Sequence, residues 1–95
     1  MHNFLAGRIE EFEEHLRTER RLSPHTISSY KRDLKKLSLW CSRKSLLQPN
    51  DIDIQDLREC LSALHREGLG GRSIQRWLSS LRTFFNYGLK NRWVT

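Results

Sequence analysis

The chain has 95 residues, 37% hydrophobic and 29% charged, with a mean hydropathy of −0.69 and a formal net charge of +6. That length buries one modest core and leaves no room for a second domain, while the apolar content argues against a disordered chain. The longest apolar runs fall far short of the roughly 18 residues a membrane span needs, and the acidic start MHNFLAGRIEEFEE is unlike a secretory leader, so a cytoplasmic protein with no membrane partner is expected.

Apolar positions recur with helical period four times, and no stretch shows the period-2 alternation of a strand, which predicts an all-α fold of four neighbouring helices joined by short loops. The first helix, about residues 3–20, places Leu5, Ile9, Phe12 and Leu16 on one stripe. Glu10, Glu11, Glu13 and Glu14 lie mostly around its solvent side, and residues 1–22 carry four basic and five acidic side chains. A solvated acidic face of this kind is held away from nucleic acid.

The second helix opens on Ser23 as N-cap with Pro24 at the first helical position, where a missing N–H does no harm. Ile27, Tyr30, Leu34, Leu37 and Cys41 form its core stripe. Opposite lie His25, Ser28, Ser29, Arg32, Lys36 and Arg43, with Lys35 nearby, so the outer face is basic and small. Residues 23–48 hold six basic residues and one acidic, Asp33, which is expected to neutralise a neighbouring Arg or Lys.

Leu46–Asn50, with Pro49, breaks the chain, and Asp51 or Asp53 caps a third helix carrying Ile54, Leu57, Leu61 and Leu64. Residues 49–67 are acidic, five against two. Gly68 ends this helix, and Gly70-Gly71 shape a tight turn. The fourth helix opens near Arg72-Ser73 and buries Ile74, Trp77, Leu78, Leu81, Phe84 or Phe85, and Leu89, with Phe85 expected in the core. Its other side presents Arg72, Arg76, Ser79, Ser80, Thr83, Asn86 and Lys90, and residues 68–95 hold five basic residues and no acidic one. The chain stops at Asn91-Arg92-Trp93-Val94-Thr95 without a solvating tail, as at a domain boundary.

Two basic blocks divided by acidic ones imply two helices sharing one cationic face, whose natural partners are polyanions. An α-helix enters the DNA major groove when its outer face mixes long donors with small residues that let the backbone approach. Arg72 and Arg76, one turn apart, are placed to reach base edges, while Thr26 and Ser73, in first turns, suit phosphate oxygens alongside free backbone N–H groups.

Catalysis finds no support. Tyr30 and Tyr87 read as structural, no Ser-His-Asp set or acid-base pair assembles, and Gly68, Gly70 and Gly71 lack the strand and Lys of a phosphate loop. Cys41 and Cys60 read as small buried hydrophobes, and His2, His15, His25 and His65 lack zinc-ligand spacing, so no metal or cofactor is expected.

The run RLSPHTISSYKRDL (Arg21–Leu34) resembles the opening of the N-terminal core-binding domain of tyrosine site-specific recombinases. The run GLGGRSIQRWLSSLRTFF (Gly68–Phe85) is similar to the fourth helix of the bacterial Xer recombinases, in particular the XerC branch. The resemblance implies a four-helix SAM-like bundle forming half of a clamp on DNA, with the second and fourth helices at the major groove. By position, Thr26 and Arg32 would contact phosphates and Ser28 and Ser29 would face the groove. Arg72, Ser73, Arg76 and Ser80 would meet bases or backbone, with Lys36 and Thr83 on the same two faces. The family's catalytic Arg, Lys, His and Tyr belong to a C-terminal domain, so this chain would bind double-stranded DNA at a recombination half-site, as a monomer, without cutting it. The full-length parent would break and rejoin strands through a 3′-phosphotyrosyl intermediate, without metal or nucleotide, in chromosome dimer resolution or DNA integration. Its partner would be a second recombinase such as XerD. Trp77 departs from the pattern, since many relatives carry a basic or smaller residue there. The other classes are a helix-turn-helix regulator, which the long 44–53 connection disfavours, and a protein-interaction bundle, which salt-dependent DNA affinity would distinguish.

Overall fold

A computed structural model describes residues 4–46 and 48–94. Asn3, the expected first helical residue, and His2 lie outside them. The described residues form four α-helices, α1 (Phe4–Thr18), α2 (Pro24–Arg43), α3 (Ile54–Arg66) and α4 (Gly71–Lys90), with a 3-10 turn at Pro49–Asp51 and no strand.

The helix starts follow from side-chain chemistry. Ser23 caps α2, its hydroxyl oxygen accepting the Thr26 N–H at 3.2 Å. Asp53, rather than Asp51, caps α3 in a reciprocal box with Asp56: each carboxylate accepts the other residue's N–H, at 2.8 and 2.9 Å. Gly70 precedes α4 with no side-chain cap, and Gly71 is its first helical residue, not part of the turn.

Three helices end the same way. A residue with positive φ follows the cap, at Ser45 (59°), Gly68 (94°) and Arg92 (60°), and the next residue is hydrophobic. Its N–H returns to a carbonyl five residues back: Leu46 to Cys41 at 2.9 Å, Leu69 to Leu64 at 3.1 Å, Trp93 to Gly88 at 3.0 Å. These are Schellman endings, and each folds an apolar side chain back toward the core, where Leu46, Leu69 and Trp93 all pack.

The core takes Leu5, Ile9, Phe12 and Leu16 from α1, Leu34, Leu37, Trp40 and Cys41 from α2, Cys60 and Leu64 from α3, and Trp77, Leu81 and Phe84 from α4. Helices α1, α2 and α4 pack on one another, with α3 against α4. Phe12 sits at the centre, its ring 5.4 Å from those of Phe84 and Tyr87 and 5.7 Å from that of Tyr30. Offset and edge-on aromatic contacts of this kind add stability beyond area burial.

Several core expectations are corrected. Leu78 is 38% exposed, Leu89 51% and Ile54 66%. Phe84, not Phe85, is the fully buried ring, and Phe85 packs half-buried against the core, as do Ile27, Tyr30, Leu57 and Leu61. The buried stripe of α4 runs through Trp77, Ser80, Leu81, Phe84 and Gly88, so the helix is rotated by part of a turn from the phase that would bury Leu78 and Phe85. Trp77 itself faces in, fully buried.

Cys41 and Cys60 are buried free thiols. Burial pushes the Cys41 thiol up to about 12 and that of Cys60 to about 11. No helix among the described residues is long and apolar enough to cross a membrane.

Candidate nucleic-acid interface

Asp33 organises the contact between α2 and α4. It is fully buried, and a buried carboxylate is tolerable only when its oxygens are satisfied. Arg76 donates Nε–H to Oδ2 at 3.1 Å and Nη2–H to Oδ1 at 3.0 Å, and the Ser80 hydroxyl donates to Oδ2 at 2.8 Å. Lys36 Nζ lies 3.8 Å from Oδ1. The same residue's backbone carbonyl accepts the Trp77 indole N–H at 3.1 Å. Asp33 is thus bonded to three side chains of one turn and a half of α4, and its hydrogen bond holds the Arg76 guanidinium above the usual pKa of that group.

This anchoring decides the surface charge. Helix α2 carries five Lys and Arg residues and α4 carries four. The one acidic residue on either helix is Asp33, which is inside and paired. At a helical step of about 100° per residue, the solvent side of α2 runs through Ser28, Arg32, Lys35 and Leu39, and that of α4 through Gln75, Ser79, Arg82 and Asn86, all exposed. The flanks add Arg72 and Lys90 on α4 and His25 and Arg43 on α2, also exposed. Lys31 is turned elsewhere, its Nζ 4.0 Å from Glu13 of α1. That carboxyl is raised in pKa by burial, which outweighs the opposing pull of Lys31.

The sequence-predicted contact residues divide accordingly. Arg32, Ser28 and Arg72 are exposed, and the two arginines have no ion pair among the described residues. Thr26 is exposed, but its N–H belongs to Ser23 and its hydroxyl lies 3.0 Å from that of Ser23, so it offers no free first-turn amide. Ser29 is half-buried and donates to the His25 carbonyl at 3.2 Å. Ser73 is half-buried in the first turn of α4, where no side-chain cap competes. Lys36 is drawn toward Asp33. Thr83 donates to the Ser79 carbonyl at 3.1 Å and lines a groove of about 430 Å³ between α1 and α4 with His15, Arg20 and Tyr87.

Ser80 requires the plainest correction. It is 5% exposed and spends its hydroxyl on Asp33, so it is part of the interior and not of the outer face. Sequence reasoning gave that place to Ser80 and Thr83 and passed over Gln75, Arg82 and Leu39. Anchoring the α4 wheel on Trp77, Leu81 and Phe84 would have found the first two.

The acidic residues lie elsewhere. Glu10, Glu11 and Glu14 are exposed on α1, where Arg8 pairs with Glu11 at 3.1 Å and Arg17 with Glu14. Tyr87 stacks on His15 with ring centroids 4.5 Å apart and is packed by Phe12 and Trp93. No group of three His, Cys, Asp or Glu among the described residues could hold a metal ion.

Residues 9–91 match the family described as phage integrase, N-terminal SAM-like domain. The chain is 41% identical over 83 residues to the tyrosine recombinase XerC of Pseudomonas fluorescens, covering 87% of this chain and 28% of that protein. It is 46% identical over 89 residues to XerC of Alcanivorax borkumensis, covering 90% and 27%. With XerC of Pseudomonas syringae pv. tomato the identity is 45% over 73 residues, covering 77% and 24%. The chain therefore spans about a quarter of the length of these relatives. No solved structure matches it.

Proposed function

Since the chain belongs to the phage integrase N-terminal SAM-like domain family, we propose that it is the DNA-binding module of a XerC-like tyrosine recombinase, with the outer faces of α2 and α4 entering the major groove together. The observation that carries this reading is the disposition of charge: nine Lys and Arg residues on two contacting helices, against one acid that is buried and neutralised. Each phosphate such a face neutralises releases condensed counterions, so affinity is strong at low salt and falls steeply with added salt. Arg32, Lys35, Arg72 and Arg82 supply phosphate contacts, and Ser28, Gln75, Ser79 and Asn86 are short enough to lie against base edges.

In this reading, strand cleavage and rejoining belong to a further domain of the parent protein, which acts at a partly palindromic recombination site with a second recombinase such as XerD. The module is cytoplasmic, chromosome-associated and monomeric on its own. The Glu67–Gly70 connection has the four-residue length of a helix-turn-helix, so loop length does not separate this reading from a transcription regulator. The α2–α4 pairing through Asp33 favours the recombinase reading, because it sets side by side two helices distant in sequence.

Fluorescence anisotropy with a duplex carrying a dimer-resolution half-site and a scrambled duplex, over a range of salt, tests the proposal. Arg32→Ala and Arg82→Ala weaken binding to both duplexes and flatten the slope of log affinity against log salt by up to about one unit each. The reading fails if both bind like wild type while charge reversal at Glu10, Glu11 and Glu14 abolishes binding.

A further inference from the structure

We propose that Asp33 is a positioning residue for base recognition: it grips one edge of the Arg76 guanidinium and thereby aims the opposite edge outward as a preformed fork for guanine. The inference rests on the DNA-binding reading above and adds a division of labour among the arginines.

A guanidinium carries five N–H groups in one plane, arranged on two edges that each match a pair of acceptors. In Arg76 the Nε–Nη2 edge is committed to the two oxygens of Asp33, at 3.1 and 3.0 Å. One Nη1 hydrogen and the second Nη2 hydrogen remain as the free fork, the other Nη1 hydrogen pointing back toward Cδ. Burial sets the fork's direction: the Asp33 side chain is 0% exposed and that of Arg76 is 42% exposed, so the committed edge faces the interior and the open one faces solvent.

The carboxylate cannot swing with its guest. The Ser80 hydroxyl holds Oδ2 at 2.8 Å. Much of the rotamer freedom that a long side chain loses on binding is therefore already gone from Arg76, which is how preorganisation improves recognition. Arg32, Arg72 and Arg82 are exposed and have no ion pair among the described residues. Mobile cations suit phosphates, which tolerate many approach angles, whereas guanine O6 and N7 demand a fork in one orientation.

The test uses a duplex selected from a randomised pool by the wild-type chain, together with its single base-pair substitutions. Changing the G·C pair that Arg76 reads lowers wild-type affinity by roughly 5- to 150-fold. Asp33→Asn, whose amide cannot accept both guanidinium N–H groups, and Arg76→Lys, which keeps the charge without the fork, each lose most of that discrimination at the same pair. The double variant loses no more than either single one. Trp77→Phe removes the neighbouring α2–α4 hydrogen bond without touching the guanidinium, and keeps the discrimination even where it lowers the melting temperature. Circular dichroism establishes that each variant is folded. Wild-type discrimination retained by folded Asp33→Asn overturns the proposal, as does equal loss in Trp77→Phe. If Asp33→Asn does not fold, retained discrimination in Arg76→Lys overturns it instead. A wild-type chain with no affinity for any duplex sinks the DNA-binding reading itself, a result distinct from binding without discrimination at any G·C pair, which sinks only the role of Arg76.

Discussion

Gly88→Ala is a substitution whose sign is set by a single neighbour. Gly88 lies in the last turn and a half of α4, where alanine is favoured over glycine by about 1 kcal/mol from backbone entropy alone. A Cβ there would stand 3.0 and 3.2 Å from Cε3 and Cζ3 of Trp93 and 3.3 Å from Cγ2 of Val94, inside the 3.5–4.0 Å at which carbon atoms attract, on the order of the optimum separation. The indole has little freedom to retreat. Its backbone N–H is bonded to the Gly88 carbonyl at 3.0 Å, its ring lies 5.3 Å from that of Phe84 and 5.5 Å from that of Tyr87, and the Arg8 guanidinium covers it at 5.0 Å. Overpacking of this kind costs about 1–3 kcal/mol, so the net effect in the wild-type chain is a loss of about 0–2 kcal/mol. In a Trp93→Ala background two of the three close contacts disappear, and the same substitution stabilises by up to about 1 kcal/mol. Urea unfolding followed by circular dichroism, with midpoints compared at common slope, measures all four corners of the cycle. A Gly88→Ala gain equal in both backgrounds, within about 0.3 kcal/mol, would refute the placement of Trp93 against α4.

Ser45 and Arg92 hold left-handed conformations at helix ends where glycine is the usual occupant, so Ser45→Gly and Arg92→Gly each raise stability by about 0.5–1 kcal/mol, read from the same denaturation curves. Burial raises the Glu13 carboxyl above its ordinary pKa of 4.5, so the native state binds its proton more tightly than the unfolded chain and stability is lost as pH rises through that raised value. Glu13→Gln therefore stabilises at pH 7, and its advantage shrinks as pH falls below the raised pKa; an advantage constant from pH 7 to pH 4 would contradict this. Iodoacetamide at neutral pH leaves Cys41 and Cys60 unmodified in the folded chain and labels both in urea, as mass spectrometry would record, because burial restricts access and disfavours the thiolate.

The four helices and the cap of the second were legible in the sequence because capping and amphipathicity are local, whereas the sequence leaves the third cap between Asp51 and Asp53 and reads Gly71 as turn. Ser23 before Pro24 and Asp53 before the third stripe each satisfy amides within three residues, and a stripe such as Leu5, Ile9, Phe12 and Leu16 declares its buried side by period alone. The recombinase resemblance was legible too, in two runs with the right order and spacing. The exact rotation of α4 was not. Its sequence offers apolar residues over an arc of about 140°, Ile74, Trp77, Leu78, Leu81, Phe84, Phe85 and Leu89, wider than the strip the core covers, and periodicity cannot choose among phases that bury different subsets of them. The choice was made by a partner 43 to 47 residues away: Asp33 draws in Arg76, Trp77 and Ser80 together, turning Phe84 inward and Leu78 out. Sequence reasoning foresaw that Asp33 would be neutralised but not by which residue, because the cost of leaving a carboxylate unpaired is set by burial, and burial exists only once the helices have packed. The same packing decides which side of α4 faces solvent, since a hydroxyl like that of Ser80 lies on the surface or in the core according to a rotation that only tertiary contacts determine.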